Sequence, residues 1–255
     1  REQVRNGANQ IKIMAGGGVA SPTDPIDGTQ YSLAELAAIC EEAEAANTYV
    51  MAHAYSPRAI TRAVRAGVRS IEHGNLLDED SARVMKEEGA FLVPTLVTYA
   101  ALGDEGVKLG WSPAMLAKLE RVRHRGVESI AIARAAGVPV AFGSDLLGHM
   151  HDRQSGEFAL RAPVQTPAEV LQGATWVAAR LLRAEGQIGT LDAGALADLL
   201  LVDGDPTVSV DLWADPVHSI RLLMQGGRVL RSRLDQRGPG RSHGRSAPSR
   251  PPGAG

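Results

Sequence analysis

Short apolar stretches alternate with longer amphipathic ones along most of the chain. Residues 10–15 (QIKIMA) alternate apolar and polar and run into Gly16-Gly17-Gly18, which predicts a strand followed by a loop. Ser32 and Glu35 form a capping box that opens a helix to about Ala46. Residues 49–53 (YVMAH) predict a second strand, and Pro57 starts a helix that Gly67 ends. Residues 68–73 (VRSIEH) predict a third strand, 78–88 a helix closed by Gly89, and 90–94 a fourth strand. Ser112-Pro113 opens a long helix to about Ala136, and residues 138–143 (VPVAFG) predict a fifth strand. Thr166 and Glu169 form another capping box, opening a helix to about Ala184.

This alternation predicts βαβ units and a parallel sheet covered by helices, an α/β fold over residues 1–186. After Gly186 the period changes. Residues 197–203 predict a strand, and residues 220–230 a hairpin turning at Gly226-Gly227, a small β addition over 187–230. Residues 231–255 carry six arginines and one acid, Asp235, with no apolar period, and are expected to be a disordered tail rich in Arg, Gly, Pro and Ser. The tail's positive charge offsets a surplus of acids elsewhere, leaving a net charge of -2. No single-sign field marks the folded part, and aromatics are 4% of residues, so neither nucleic acid nor a membrane surface is an expected partner. One cysteine, Cys40, excludes an internal disulfide. No apolar run approaches the roughly 20 residues that span a bilayer.

Lys12, His53, His73 and Asp145 each fall at or just past the end of a predicted strand. In a parallel α/β sheet or barrel those ends form the active-site face. Taken singly each has a plain structural reading: a hydrogen-bonded histidine, a salt-bridged lysine, a capping aspartate. Four separate strands delivering such groups to one face outweighs those readings. Two imidazoles and a carboxylate suit zinc or a similar divalent ion. A lysine ammonium is a donor only, but its carbamate, formed with carbon dioxide, is an anionic bridge able to hold two metals about 3.5–4 Å apart. Asp145 then suits proton transfer from a nucleophilic water to a leaving amine.

The segments IKIMAGGG, AHAYSP, SIEHGN, PTL, FGSDLLG, TPAEVLQGAT and LDAGALADLLLVDGDP resemble the amidohydrolase superfamily. The similar branch holds imidazolonepropionase-like enzymes, prolidases (Xaa-Pro dipeptidases), Xaa-Lys/Arg carboxypeptidases and ochratoxinase, and the likeness spans about residues 1–230. It implies strands 4 to 8 of a TIM-like (β/α)8 barrel plus C-terminal strands of a β-sandwich. By position it implies Lys12 as the carboxylated bridging lysine, His53 and His73 as ligands of the more exposed metal, and Asp145 as ligand of the buried metal and proton shuttle. The implied cofactors are two divalent ions, with zinc expected. The implied substrate is a dipeptide, an N-acyl amino acid or, alternatively, a cyclic amide. Tyr55 and Arg58 suit a substrate carboxylate. The family's His-x-His pair should precede Lys12 by over a hundred residues, whereas eleven residues precede it here. The expectation is therefore a C-terminal fragment, with an inactive truncated α/β protein as the contrasting reading. His149 and His151 repeat the His-x-His spacing but fall after Asp145, where substrate contact is the better expectation. A cytoplasmic location is expected, with a leader peptide not excluded, and homo-oligomerisation is left open.

Overall fold

In a computed structural model, residues 1–234 are described. A short α1 (Glu2–Arg5) precedes β1 (Ile11–Met14), α2 (Leu33–Ala45), β2 (Val50–Ala54), α3 (Pro57–Arg65), β3 (Ser70–His73), α4 (Glu79–Glu87) and β4 (Phe91–Val93). Then come α5 (Leu96–Glu105), α6 (Pro113–Arg123), α7 (Gly126–Ala135), α8 (Gly156–Arg161), α9 (Pro167–Gln172) and α10 (Ala178–Leu181). The remaining elements are β5 (Leu199–Val202), α11 (Pro216–Ser219), β6 (Ile220–Gln225) and β7 (Arg228–Ser232). The expected capping boxes form at Ser32–Glu35 and Thr166–Glu169, and Asp78 and Ser81 make a third.

Strands β1 to β4 form one parallel sheet in sequence order. Its register puts Ile13, Ala52, Ile71 and Leu92 in one row and Met14, His53, Glu72 and Val93 in the next. Successive strand residues point to opposite faces, so the first row faces the helices and the second faces away from them. The helix-facing row packs with Ile60, Val64, Leu77 and Met85 from α3, α4 and the turn that leads from β3 into α4 into one core. Several of these, including Ile71 and Leu92, are wholly buried, and each such side chain contributes about 1.5–3 kcal/mol. The other face carries Lys12, Met14, His53 and Glu72 on one side and a smaller cluster of Tyr49, Phe91, Val93, Ala141 and Leu181 on the other.

Four departures from the sequence expectation have local causes. The fifth strand expected over 138–143 is reduced to one parallel bridge between Leu92 and Val140. Pro139 has no amide to donate, and beyond Ala141 the Phe142 amide turns aside to the Gly173 carbonyl at 3.1 Å. The long helix after Pro113 splits into α6 and α7 where the Val122 carbonyl accepts from the Arg125 amide at 3.2 Å, a tighter turn than the α ladder, and from the Asn75 side chain at 3.1 Å. The helix after Thr166 passes through a π turn at Gly173–Val177, where the Gly173 carbonyl serves Phe142. Helix α5 fills a stretch for which the sequence predicted no element.

The C-terminal strands form the expected antiparallel sheet in the order β5-β6-β7. Strand β7 extends to Ser232, past the expected start of the tail, and residues 235–255, which hold most of that tail, lie outside the described residues. Among the described residues no helix is long and apolar enough to cross a membrane.

Candidate functional site

The C-terminal ends of β1 to β3 and the turn after residue 143 converge on one cavity of about 450 Å³. Lys12, His53, Tyr55, His73 and Asp145 all line it. Lys12 and His53 come from the sheet face turned away from the helices. His73 ends its strand with a φ of 78°, and the left-handed turn swings its ring into the same space. The His53 and His73 rings stand edge to face, with centroids 4.7 Å apart. Asp145 links the group: its Oδ1 is 4.0 Å from Lys12 Nζ and its Oδ2 is 3.9 Å from His73 Nε2. Both distances lie beyond hydrogen-bond reach.

Hydrogen bonds fix the ring orientations. His53 Nε2 donates to the Gly17 carbonyl at 3.0 Å, and His73 Nδ1 bonds to Thr95 Oγ1 at 2.7 Å. The Gly17 contact depends on the loop folding back on itself: a Cβ at Gly17 would lie 1.9 Å from the Pro25 carbonyl oxygen. Lys118 donates to the Ser21 carbonyl at 2.9 Å and also to that of Asp24, pinning the same loop to α6.

Backbone strain gathers here. Among the described residues five non-glycine positions have positive φ, and three of them are His73, Thr95 and Asp145. Each costs about 1–3 kcal/mol. The Lys12–Asp145 pair, with side chains 42% and 44% exposed, returns at most about 1 kcal/mol. The arrangement therefore costs the fold more than its ion pairs return, as at sites kept for chemistry.

Burial sets the protonation states. It holds both imidazoles below the ordinary histidine range, and His73, fully enclosed and facing His53 and Lys12, lies furthest below. Both rings are neutral at pH 7 and have lone pairs to offer. Burial also raises the hydroxyls of Tyr55 and Tyr99, which are hydrogen bonded to each other at 3.0 Å, so both remain protonated donors. Glu72 shares a register row with His53; burial pushes its carboxyl up to about 7, against the hydrogen bond donated by Ser70 at 2.6 Å and the charge of Lys12.

Two neutral imidazoles, a carboxylate and a lysine amine match a divalent metal in kind. Among the described residues, however, no three His, Cys, Asp or Glu side chains stand in a metal-holding geometry. His53 Nε2 must release the Gly17 carbonyl before it can ligate, and Lys12 becomes a ligand only as its carbamate.

The other candidates lie apart. Arg58, in the first turn of α3, lines a different cavity with Arg121 and Arg125. His149 is exposed and pairs with Glu105 at 2.7 Å, and His151 is exposed on a 3₁₀ turn. Sequence reasoning missed Thr95, Tyr99 and Glu72. Tyr99 lies on the unpredicted α5, four residues after Thr95, and Glu72 was visible only as a charge inside a strand whose other positions are buried.

A sequence profile of the amidohydrolase family matches residues 1–230. Ochratoxinase of Aspergillus niger is 31% identical over 236 residues, covering 91% of this chain and 48% of that protein. A crystal structure of a prolidase complexed with N-methylphosphonate-L-proline aligns with a TM-score of 0.88 at 54% identity, covering 91% of this chain and 57% of that one. A Xaa-Pro dipeptidase structure with methionine bound in its active site aligns with a TM-score of 0.80 at 28% identity, covering 90% and 56%. The chain spans about half the length of the curated relatives it matches.

Proposed function

Because the chain belongs to the amidohydrolase family, we propose that the protein carrying it hydrolyses amide bonds of small substrates with the help of divalent metal. The proposed substrates are dipeptides with a C-terminal proline or similar residue, and N-acyl amino acids. The observation that carries this reading is the gathering of Lys12, His53, His73 and Asp145 at one end of the parallel sheet. The prolidase and ochratoxinase relatives support the substrate class. On this reading the described sheet is part of a TIM-like barrel, equivalent to its later strands, and β5 to β7 belong to a flanking sandwich.

His53, His73, Asp145 and the carbamate of Lys12 would hold two metal ions, for which zinc suits the donors. Bound there, metal supplies Lewis acidity toward the amide carbonyl and an acidified water. The chain's own groups do the rest. Thr95 fixes the tilt of the His73 imidazole, while Gly17 holds His53 until its Nε2 turns to ligate. Asp145 faces both Lys12 and His73, so its carboxylate is placed to take a proton from the attacking water and deliver it to the leaving nitrogen. The Tyr55 hydroxyl, edge-on to His53 with ring centroids 4.7 Å apart, can donate to a substrate carboxylate or carbonyl. A cavity of about 450 Å³ suits a dipeptide.

The test is an assay of the purified protein on Xaa-Pro dipeptides and N-acyl amino acids, before and after chelation. Hydrolysis that chelator abolishes and zinc restores is expected. Absence of amide hydrolysis with any added divalent metal would overturn the reading.

A further inference from the structure

We propose that the buried ion pair of Glu157 and Arg161, on α8, is a positioning device that sets His73 and Asp145 relative to each other. It rests on the functional reading of those two residues given above. Glu157 and Arg161 are both wholly buried, and no step of the proposed reaction uses them. Such a pair needs a reason, because two charges leave water for it and well-packed apolar residues would serve stability as well.

The reason begins at Thr95. A threonine before a helix ordinarily accepts a hydrogen bond from one of the helix's first amides. Here the Thr95 side chain makes no cap: its backbone is left-handed, with a φ of 49°, and its Oγ1 lies 2.7 Å from His73 Nδ1. Glu157 supplies the missing cap from another element: its Oε2 accepts from the Val97 amide at 2.7 Å, and the Leu96 amide also bonds to its carboxylate. The negative charge thus lies at the positive end of α5, where it is favoured. Capping from outside leaves Thr95 free to hold the imidazole.

Arg161 carries the same restraint to the other side of the site. Its Nε donates to Glu157 Oε1 at 2.7 Å, and its Nη1 donates to the Ala141 carbonyl at 2.9 Å. The guanidinium also lies over the Phe142 ring, 4.7 Å from the centroid. Ala141 is the last residue that bonds to β4, and Asp145 follows four residues later at a φ of 47°. One charge pair therefore binds the segment entering Asp145 to the segment that orients His73. With residues 138–143 reduced to a single bridge, the sheet alone gives Asp145 little support.

The experiment compares Glu157→Gln and Arg161→Lys with the unsubstituted protein. Glutamine keeps the shape and an acceptor oxygen but removes the charge. Lysine keeps the charge but cannot reach Glu157 and the Ala141 carbonyl as a fork. Three readouts follow thermal melting: the ¹⁵N resonances of the His73 ring without metal, assigned with His73→Asn; zinc affinity against a chelating dye; and kcat and KM on a Xaa-Pro dipeptide. We expect cooperative melting, a His73 ring that exchanges between tautomers, and zinc affinity and kcat each lowered about 10–100-fold with KM within about threefold. A folded variant with unchanged His73 resonances and zinc affinity would overturn the proposal. If Glu157→Gln does not melt cooperatively, Arg161→Lys decides by the same criteria; loss of folding in both makes the pair a structural brace and also overturns it. Should the unsubstituted protein bind no zinc and hydrolyse no amide while the His73 resonances still move in the variants, the functional reading fails and the positioning role stands.

Discussion

The two sheets draw on similar apolar residues and use them differently. In β1 to β4, helices returning between parallel strands cover one face, so Ala52, Ile71 and Leu92 are fully enclosed. In β5 to β7, antiparallel strands return by the segment that holds α11 and by a tight turn, and among the described residues no comparable layer covers them. Leu200, Leu201, Val229 and Leu230 are each more than two-fifths exposed, and Leu222 is buried. Connectivity rather than composition decides the outcome: a crossover brings its own helix, whereas a hairpin must borrow cover from elsewhere. The covered sheet can then bear the strained turns at His73, Thr95 and Asp145, because its core holds the strand ends in place.

The largest effect should come from the strained end of the covered sheet. Lys12→Arg keeps a positive charge beside Asp145 but cannot form a carbamate. Turnover on the dipeptide should fall to background while the melting temperature stays within a few degrees, since a half-exposed pair returns at most about 1 kcal/mol. Near-normal turnover in this variant would reduce Lys12 to a salt-bridge partner.

Next comes the core beneath that end. Leu92→Ala should destabilise by about 2–5 kcal/mol, as removal of fully buried branched side chains does. Denaturant unfolding measures this directly. A loss below about 1 kcal/mol would mean that the covered sheet is no better packed than the open one.

The sequence announced the covered sheet through its βα alternation and capping boxes, because those signals are local. Lys12, His53, His73 and Asp145 were visible too, as polar residues closing apolar runs. What stayed hidden depends on contacts distant along the chain. The split of the 113–136 helix falls where the Asn75 side chain, about fifty residues upstream, donates to the Val122 carbonyl. Helix α5 is capped by Glu157, sixty residues downstream, so no local signal marked its start. The fifth strand looked apolar enough, yet Pro139 and the pull of Gly173 leave it one bridge.

A smaller, pH-dependent effect separates the charges inside the covered sheet. Glu72 ionises at about 7 in the fold against 4.5 ordinarily. The folded state therefore holds a proton that the unfolded state has lost between those values, and stability falls as pH rises from 4.5 to 7. The full difference is worth about 3 kcal/mol. His53 and His73 act oppositely: their lowered values make stability fall as pH drops below 6.5. In metal-free protein Glu72→Gln should remove the first trend and leave the second. At about pH 8 it should be more stable than the parent by up to about 3 kcal/mol, and the gain should vanish below about pH 4.5. A gain independent of pH would show that packing, not protonation, governs Glu72.

The smallest effect on stability belongs to the open sheet. Among the described residues both β5 and β7 are edges, since the order is β5-β6-β7. Edges invite pairing with other chains unless charge or distortion blocks them. Strand β7 carries Arg228 and Arg231, whereas β5 reads Leu199, Leu200, Leu201, Val202 with no charge at all. Leu200 is 44% exposed, and the aliphatic stem of a lysine can cover the same neighbours while its ammonium reaches water. Leu200→Lys should change the unfolding free energy by less than about 1 kcal/mol while lowering concentration-dependent association, read by light scattering. The same lysine at Ile71 of the covered sheet should instead prevent folding, because that side chain is fully enclosed and no acid pairs with it there. If Leu200→Lys destabilises as strongly as a core substitution, β5 is covered in solution by a surface that these residues do not include, and the contrast between the two sheets disappears.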